Sequence, residues 1–280
     1  MDGRDFYGLE STGDPGAWRM PIVPQLCSGL GALFGGCGLG GLVEAVEQQA
    51  GRPLVWATGQ YLAYAHPPDV MDIDVTLAVE GGSVTQARAV GRVEGREIIT
   101  VNAALGKRDV DHAGQWAQMP DVPPPDECRP RKFHSRHEGS IRERLEDRLA
   151  NARDPEDLPG EPGSGRASVW VRIPGLDISP SALAIVGDYV PFGISQSLGV
   201  RAGGNSLDNT LRVAEIVDTE WILADVHMHA IANGFAHGRV HLWAQDGTLM
   251  ATASQSTIVR PWRDEPAPGA ESGQSAESHR

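Results

Sequence analysis

Hydrophobic and polar positions alternate along several stretches of the chain, which is the spacing of strands whose two faces differ. Between residues 221 and 231 every second side chain is apolar, and Asp225, His227 and His229 lie between the apolar positions. A period of two places the apolar set on one face of a strand and the polar set on the other. The pattern predicts a sheet that packs one face on a helix and leaves the other face unpacked.

The same pattern occurs twice along the chain, at a constant spacing of 152 residues. The corresponding landmarks are Trp18 and Trp170, Gly82 and Gly234, and Gly95 and Gly247. Three strand-like segments match without a gap: MDIDVTLAVE with LADVHMHAIA, VTQARAVGRV with AHGRVHLWAQ, and REIITVNAAL with TLMATASQST. Self-similarity at a fixed offset indicates two copies of one structural unit.

Each copy has the same predicted order of elements. A strand near the tryptophan precedes a helix, at about 36 to 50 in the first copy and about 180 to 198 in the second, and four strands joined by short turns follow. We therefore predict an α+β fold in which two antiparallel sheets each wrap around a long helix. The predicted domains span residues 1–107 and 166–262.

The two copies are separated by residues 108–165, which we predict to be a linker. Its ends, PDVPPPDECRPRK and EDLPGEPGSG, contain too much proline and glycine for regular structure. In its middle, SIRERLEDRLANA places Ile141, Leu145 and Leu149 at helical intervals, which predicts a short amphipathic helix on the surface. Residues 263–280 contain no apolar side chain large enough to bury and are predicted to be disordered.

Composition and charge narrow the range of functions. The 280 residues carry a formal net charge of -13, which disfavours nucleic acid or an anionic membrane as the main partner. The first ten residues lack the order of a secretory signal, and the longest apolar stretch is interrupted by glycines. Three cysteines without CxxC spacing argue against a disulfide framework and a zinc knuckle. We expect a cytoplasmic protein.

Three segments of the second copy point to a known family. They are LAIVGDYVPFG at the helix, NSLDNTLRV on the next strand and ATASQSTIVR on the last strand, and FGG opens the helix of the first copy. Together with the long proline-rich connection, these segments make the chain resemble the acyl-CoA thioesterase II family. The resemblance implies a double hot-dog fold, hydrolysis of acyl-CoA to a fatty acid and CoA, and no metal or organic cofactor.

The resemblance also implies a site. In that family an Asp at the helix start, a Thr or Ser on the next strand and a Gln on the last strand hold and activate water, and here they correspond to Asp188, Ser206 and Gln255. Many relatives have His where this chain has Asn209, and Thr where it has Ser206. Both differences make the substrate preference uncertain.

The internal repeat provides an independent test of the number of sites. Shifting Asp188, Ser206 and Gln255 back by 152 positions gives Gly36, Leu54 and Ala103, none of which has a polar side chain. We therefore predict one catalytic centre per chain, with the first copy supplying one wall of the acyl pocket.

Binding groups are predicted on both copies. Gly35 and Gly36 lie at a helix start, where backbone N–H groups and the helix dipole favour an oxyanion. Arg201, Arg212 and Arg239 are candidate contacts for the phosphates of CoA, although solvated arginines are an equally good interpretation.

Two other signals are discounted. GCGLGG at residues 36–41 fits the GxGxxG fingerprint, but no acidic residue follows at the required distance, so the glycines are interpreted as sites of close helix packing. Four histidines between His227 and His241 suggest a metal, but no acidic partner is fixed by spacing, and we interpret them as polar residues of the sheet. GxSxG is absent, which disfavours a covalent serine intermediate.

Two alternatives to hydrolysis remain. The fold could serve as a non-catalytic acyl-CoA-binding or scaffold protein, which would bind substrate without turnover. It could also act as a hot-dog hydratase or in acyl transfer, although the Asp and His pair of the hydratases is missing. Because hot-dog sheets expose edges and faces that pair, we expect a homodimer or a larger homo-oligomer.

Overall fold

The computed structural model describes residues 1–132 and 139–262. The first half begins with a short helix and places one long helix before four long strands. Its elements are α1 (Gly3–Tyr7), β1 (Glu10–Ser11), β2 (Ala17–Pro21), α2 (Gly35–Ala50), β3 (Leu54–Tyr61), β4 (Val70–Glu80), β5 (Val84–Val93) and β6 (Arg96–Gly106). This is the predicted order of the first copy.

The second half repeats that order after a connector, except that five strands, and not the predicted four, follow its helical region. The connector contributes β7 (Arg129–Pro130) and β8 (Glu146–Asn151). The repeat itself consists of β9 (Arg166–Arg172), α3 (Pro180–Gly187), α4 (Val190–Leu198), β10 (Ala202–Ser206), β11 (Asp208–Val213), β12 (Ile222–Ala232), β13 (Phe235–Ala244) and β14 (Leu249–Pro261).

The strands of both halves form one continuous antiparallel sheet, whereas the sequence predicts two separate sheets. Its order is β1-β2-β4-β5-β6-β3-β11-β14-β13-β12-β9-β8-β7, with β10 also paired to β14. The halves meet where β3 pairs with β11, and there Thr58 lies opposite Thr210 with their hydroxyl oxygens 3.0 Å apart. These two residues are related by the 152-residue spacing, so they mark a local pseudo-two-fold axis between the halves.

The glycines of α2 allow close packing against neighbouring elements. A Cβ at Gly36 would lie 2.8 Å from the Ala184 carbonyl oxygen on α3, and a Cβ at Gly41 would lie 2.3 Å from the Met20 sulfur. The apolar side chains of α2 from Cys37 to Val46 are fully buried. The interpretation of GCGLGG as a packing segment is thus confirmed.

The second helix is divided, whereas the sequence predicts a continuous helix from about 180 to 198. α3 ends at Gly187, Asp188 caps it, and α4 begins at Val190. Pro191 has no N–H to donate to the Gly187 carbonyl and its ring disfavours the preceding helical turn. The proline therefore interrupts the helix beside Asp188.

The prediction of an amphipathic helix in the connector is wrong. Residues 141–144 form one 3₁₀ turn, and residues 146–151 form β8, which pairs with β9. Leu145, Asp147 and Leu149 are all buried, and this spacing of two places them on one face of a strand. Pairing with β9 satisfies the backbone N–H and C=O groups of the segment.

The connector also covers the outer face of the second half, which the sequence analysis expects to be unpacked. Leu223 is buried on that face of β12 in a cluster with Trp170, Trp221, Trp243 and Cys128. Ala117, Met119 and Val122 of the connector pack against this cluster, and the Trp170 indole donates to the Pro123 carbonyl at 2.9 Å. Both faces of this part of the sheet are therefore packed.

In residues 1–132 and 139–262, none of the helices has the length and apolar character needed to cross a membrane. The tail predicted to be disordered, residues 263–280, lies outside the described residues.

Candidate active site

The three polar residues predicted from the second copy meet at one point. Asp188 lies in the break between α3 and α4, Ser206 ends β10, and Gln255 lies on β14. The Ser206 hydroxyl donates to Asp188 Oδ1 at 3.2 Å, and Gln255 Nε2 donates to the same oxygen. Gln255 Nε2 also lies 3.1 Å from the Ser206 oxygen, so the three side chains are mutually hydrogen-bonded.

The first copy contributes a backbone donor to this site. The Gly36 N–H, in the first turn of α2, donates to Asp188 Oδ2 at 2.7 Å. First-turn N–H groups lack acceptors within their own helix, and the helix dipole favours a negative charge there. Both carboxylate oxygens of Asp188 therefore accept hydrogen bonds, one from each half of the chain.

Burial makes Asp188 a stronger base than an exposed aspartate. The side chain is almost completely buried, and this desolvation raises its pKa from 3.8 to about 6. Hydrogen bonds from Gln255, Gly36 and Ser206 favour the ionised form and partly oppose the rise, as does the nearby positive charge of Arg142. The carboxylate is thus ionised at neutral pH and able to take up a proton.

Three neutral side chains, those of Tyr61, Asn209 and Cys37, complete the surroundings of Asp188. The Tyr61 hydroxyl donates to the Gly35 carbonyl at 2.9 Å, and the buried amide of Asn209 lies beside that hydroxyl. Burial and the Asp188 charge raise the pKa of Tyr61 and of the Cys37 thiol well above their usual ranges. Both groups are therefore uncharged when Asp188 titrates.

A buried ionic cluster from the connector lies next to the site. Asp147, completely buried, accepts hydrogen bonds from the Tyr189 hydroxyl at 2.8 Å and from Arg131 at 3.0 Å. Arg142 donates to the Tyr189 hydroxyl at 2.9 Å and lies 3.7 Å from Asp147. The sequence gives no sign of these contacts, because the four residues come from separate segments.

Of the predicted binding residues, some lie at Asp188 and others do not. Gly35 lies against Asp188, since a Cβ there would be 2.7 Å from Asp188 Oδ2. The Gly36 N–H is engaged by Asp188, so in this arrangement it holds the carboxylate and is not directed at a substrate oxygen. Arg201 is exposed on the turn before β10 and donates to the Pro155 carbonyl at 3.3 Å.

Arg212 lies away from Asp188. Its neighbour Leu211 faces α3, where it packs near Gly187, so alternation along β11 directs Arg212 to the opposite face of the sheet. Arg239 pairs with His227 on the neighbouring strands of the same sheet. Neither arginine is brought to the Asp188 site.

The histidines are held by polar neighbours on the sheet. His227 contacts Asp225 at 2.8 Å, and Asp225 also accepts from the Ser168 hydroxyl at 3.3 Å. His237 lies 3.1 Å from the Ser256 hydroxyl. Across residues 1–132 and 139–262, no group of three or more His, Cys, Asp or Glu side chains is arranged to hold a metal ion.

The fold and site together define a class of protein, a hot-dog fold with a buried carboxylate, hydroxyl and amide suited to activating water. The family model for the acyl-CoA thioesterase C-terminal domain matches residues 125–259, a range that contains all three side chains. A solved structure described as a thioesterase, from Novosphingobium aromaticivorans, is 31% identical with a TM-score of 0.78, covering 89% of this chain and 97% of that one. The chain belongs to the acyl-CoA thioesterase family and is a thioester hydrolase.

More distant structures share the fold. A hot-dog protein of unknown function from Alicyclobacillus acidocaldarius is 17% identical with a TM-score of 0.81, covering 93% of this chain and 98% of that one. An acyl-CoA thioesterase II from Mycobacterium marinum is 20% identical with a TM-score of 0.72, covering 92% and 98%. No curated protein matches the chain.

Proposed function

We propose that this enzyme hydrolyses acyl-CoA by general-base activation of water at Asp188, with Ser206 and Gln255 orienting the water. The observation that carries the proposal is that a base and a hydrogen-bond acceptor without a donor lie side by side. Asp188 is an ionised, hydrogen-bonded carboxylate, and none of the described residues donates to the buried Oε1 of Gln255. A buried acceptor of this kind is suited to receive a hydrogen bond from water.

The reaction needs one proton to be taken up and later returned. As the water oxygen bonds to the thioester carbonyl carbon, Asp188 accepts a proton from the water, and the carbonyl oxygen becomes negatively charged. The C–S bond then breaks as the carbonyl re-forms, and the proton on Asp188 goes to the departing sulfur of CoA. The products are a carboxylic acid and free CoA.

The developing oxyanion requires a donor near the carboxylate. The Gly36 N–H is bonded to Asp188, which leaves the N–H groups of Gly35 and Cys37 as first-turn donors of α2. We propose that the thioester carbonyl is bound at this helix start, where the dipole stabilises the negative charge.

We further propose that the two halves are tandem hot-dog units with a single catalytic centre. The proposal is supported by the 152-residue correspondence of the strands and by the Thr58–Thr210 contact where the halves meet. It is also supported by the absence of polar side chains at Gly36, Leu54 and Ala103. The first half then contributes Gly36 and the wall of the acyl pocket.

The proposal also covers the contact with CoA, the cellular compartment and the oligomeric state. Arg201 is retained as a candidate CoA contact because it is exposed near the start of β10, whereas Arg212 faces away from Asp188. The free, buried thiols of Cys27, Cys37 and Cys128 are compatible with a reducing cytoplasm. We also propose assembly into a homodimer or larger homo-oligomer, to be measured by light scattering.

The test is release of free thiol from a panel of acyl-CoAs, from short to long, by the parent protein and by Asp188→Asn. We expect turnover of at least one member by the parent and a loss of about 10²-fold or more in kcat for the variant. An Asp188→Asn protein that is folded and retains the parental kcat would refute the role of Asp188. The chain length with the highest kcat/KM would define the substrate class.

A further inference from the structure

Arg142, a connector residue, lies between the two segments that hold the Asp188 carboxylate. Its guanidinium carbon is 5.6 Å from the ring centroid of Phe34, the N-cap residue of α2, and 5.1 Å from that of Tyr189. Phe34 is two residues before Gly36, and Tyr189 directly follows Asp188. One side chain therefore contacts residues on both sides of the hydrogen bond between Gly36 and Asp188.

The turn that carries Arg142 is itself fixed to the first half. The Ile141 N–H donates to the Cys27 carbonyl at 2.9 Å, and the Ser140 hydroxyl accepts from the Arg142 N–H at 3.3 Å. The adjacent Leu26 carbonyl accepts from the Phe34 N–H at 2.9 Å. The backbone of the turn is thus tied to the segment that leads into α2.

The head of the side chain is fixed on the other side of the site. Arg142 donates to the Tyr189 hydroxyl at 2.9 Å, and that hydroxyl donates to the buried Asp147. A guanidinium with planar stacking partners and a directed hydrogen bond has little freedom to rotate. Its position is therefore set by both halves of the chain.

We propose that Arg142 is a positioning residue for hydrolysis, which fixes the start of α2 relative to the break at Asp188 and places a positive charge beside the carboxylate. The inference rests on the proposed role of Asp188 as the base. It assigns a function to the connector, which the sequence analysis treats as a linker.

The charge contribution can be separated from a purely structural one by the pH dependence of activity. The groups that face Asp188 are Cys37 from α2, Tyr61 from β3 and Arg142 from the connector. Cys37 and Tyr61 have raised pKa values and remain neutral, so the acid limb of the kcat/KM profile reports Asp188. Removing the positive charge of Arg142 raises the pKa of Asp188 and moves that limb to higher pH.

The experiment compares Arg142→Met, Arg142→Lys and the control Arg144→Met in the full chain. Arg144 lies in the same turn, and its guanidinium carbon is 4.8 Å from the ring centroid of Phe6 on α1. For Arg142→Met we expect the acid limb to move up by roughly 0.3 pH unit and kcat at neutral pH to fall about tenfold, with a smaller change in KM. Arg142→Lys should keep the limb near its parental position, and Arg144→Met should match the parent in both.

A parental limb and parental kcat in folded Arg142→Met would overturn the inference. If that variant does not fold, Tyr189→Phe decides the matter, because it removes the oxygen through which Arg142 is held and which also donates to Asp147, and it leaves both charges in place. We expect a lower kcat at a nearly constant KM for Tyr189→Phe, and an unchanged kcat would refute the positioning role. Asp188→Asn is measured in parallel: if it retains activity, the proposed base is wrong, whereas inactivity of Asp188→Asn with a fully active Arg142→Met rejects the inference alone.

Discussion

Gly36 and Asp188 occupy corresponding positions of the two repeats, 152 residues apart, and are joined by a hydrogen bond of 2.7 Å. One copy supplies a backbone N–H and the other copy supplies a carboxylate. The contact lies where α2 packs on α3, so close that a side chain at residue 36 would overlap the backbone of Ala184 and Ile185. The same packing therefore sets both the fold of the interface between the halves and the orientation of Asp188.

Replacing Gly36 by alanine should reduce stability. The added Cβ would lie 2.8 Å from the Ile185 Cα and from the Ala184 carbonyl oxygen, and a backbone cannot give way as a flexible side chain can. We expect Gly36→Ala to lower the free energy of unfolding by about 1–3 kcal/mol in urea titrations. Gly82→Ala is the control, since open space surrounds that position, and equal stability of the two variants would contradict the packing argument.

Activity should depend on an acidic group with a pKa of about 6. Because Asp188 acts as a base only when ionised, kcat/KM should fall as the pH drops through about 6 and should level off above it. The measurement is the pH profile of thiol release at low substrate concentration. Asp225→Asn, which alters another buried carboxylate of the second half, should show the same profile, and a parental acid limb near pH 4 would contradict the assignment.

Stability should depend on pH through the same residue. The folded protein binds the Asp188 proton more tightly than the unfolded chain, so ionisation destabilises the fold as the pH rises from 3.8 to about 6. Asp188→Asn cannot ionise and lacks this dependence. The stability of the variant relative to the parent should thus increase by about 1–3 kcal/mol between about pH 4.5 and about pH 8.

Parallel urea titrations of the two proteins across this range provide the measurement for that prediction. Because the comparison uses only the change with pH, hydrogen bonds altered by the asparagine itself cancel. A difference in stability that stays constant, or that decreases as the pH rises, would show that Asp188 is not destabilised by burial.

Removing the Ser206 hydroxyl should reduce turnover more than it reduces binding. The hydroxyl donates to Asp188 at 3.2 Å and accepts from Gln255 at 3.1 Å, so it fixes the relative positions of these two groups. We expect Ser206→Ala to lower kcat by about 10- to 100-fold with little change in KM. Ser254→Ala, next to Gln255 on the opposite face of β14, should retain parental kcat; equal losses in both variants would point to a general effect on the strand.

The sequence could predict the repeat, the strands and the three polar side chains, but not the form of the connector. Ile141, Leu145 and Leu149 are spaced by four, which fits one face of a helix, yet a spacing of four is also a multiple of two and fits one face of a strand. The residue that separates the two possibilities is Asp147, a buried charge between two leucines. Its partners Arg131 and Tyr189 come from distant segments, so no local pattern identifies it as an inward-facing position.

One residue of the sequence, Pro191, indicates the helix break beside Asp188, but the apolar residues around it keep a helical spacing. Pro191 lies three residues after Asp188 and removes a helical donor, whereas the apolar residues on either side continue the helical pattern. By contrast, the proximity of Tyr61, Asn209 and Arg142 to Asp188 depends on how β3, β11 and the connector come together. Such contacts are set by tertiary packing and cannot be deduced from spacing along one chain.

The contact between corresponding residues has a consequence for symmetry. In an assembly of two identical subunits, a residue on the two-fold axis faces its own copy, so it must be glycine in both subunits or aspartate in both. Two aspartates there would bring like charges together, and two glycines would leave no acid. Encoding both copies in one polypeptide removes this restriction, so that one position can supply the donor and its counterpart can supply the acceptor.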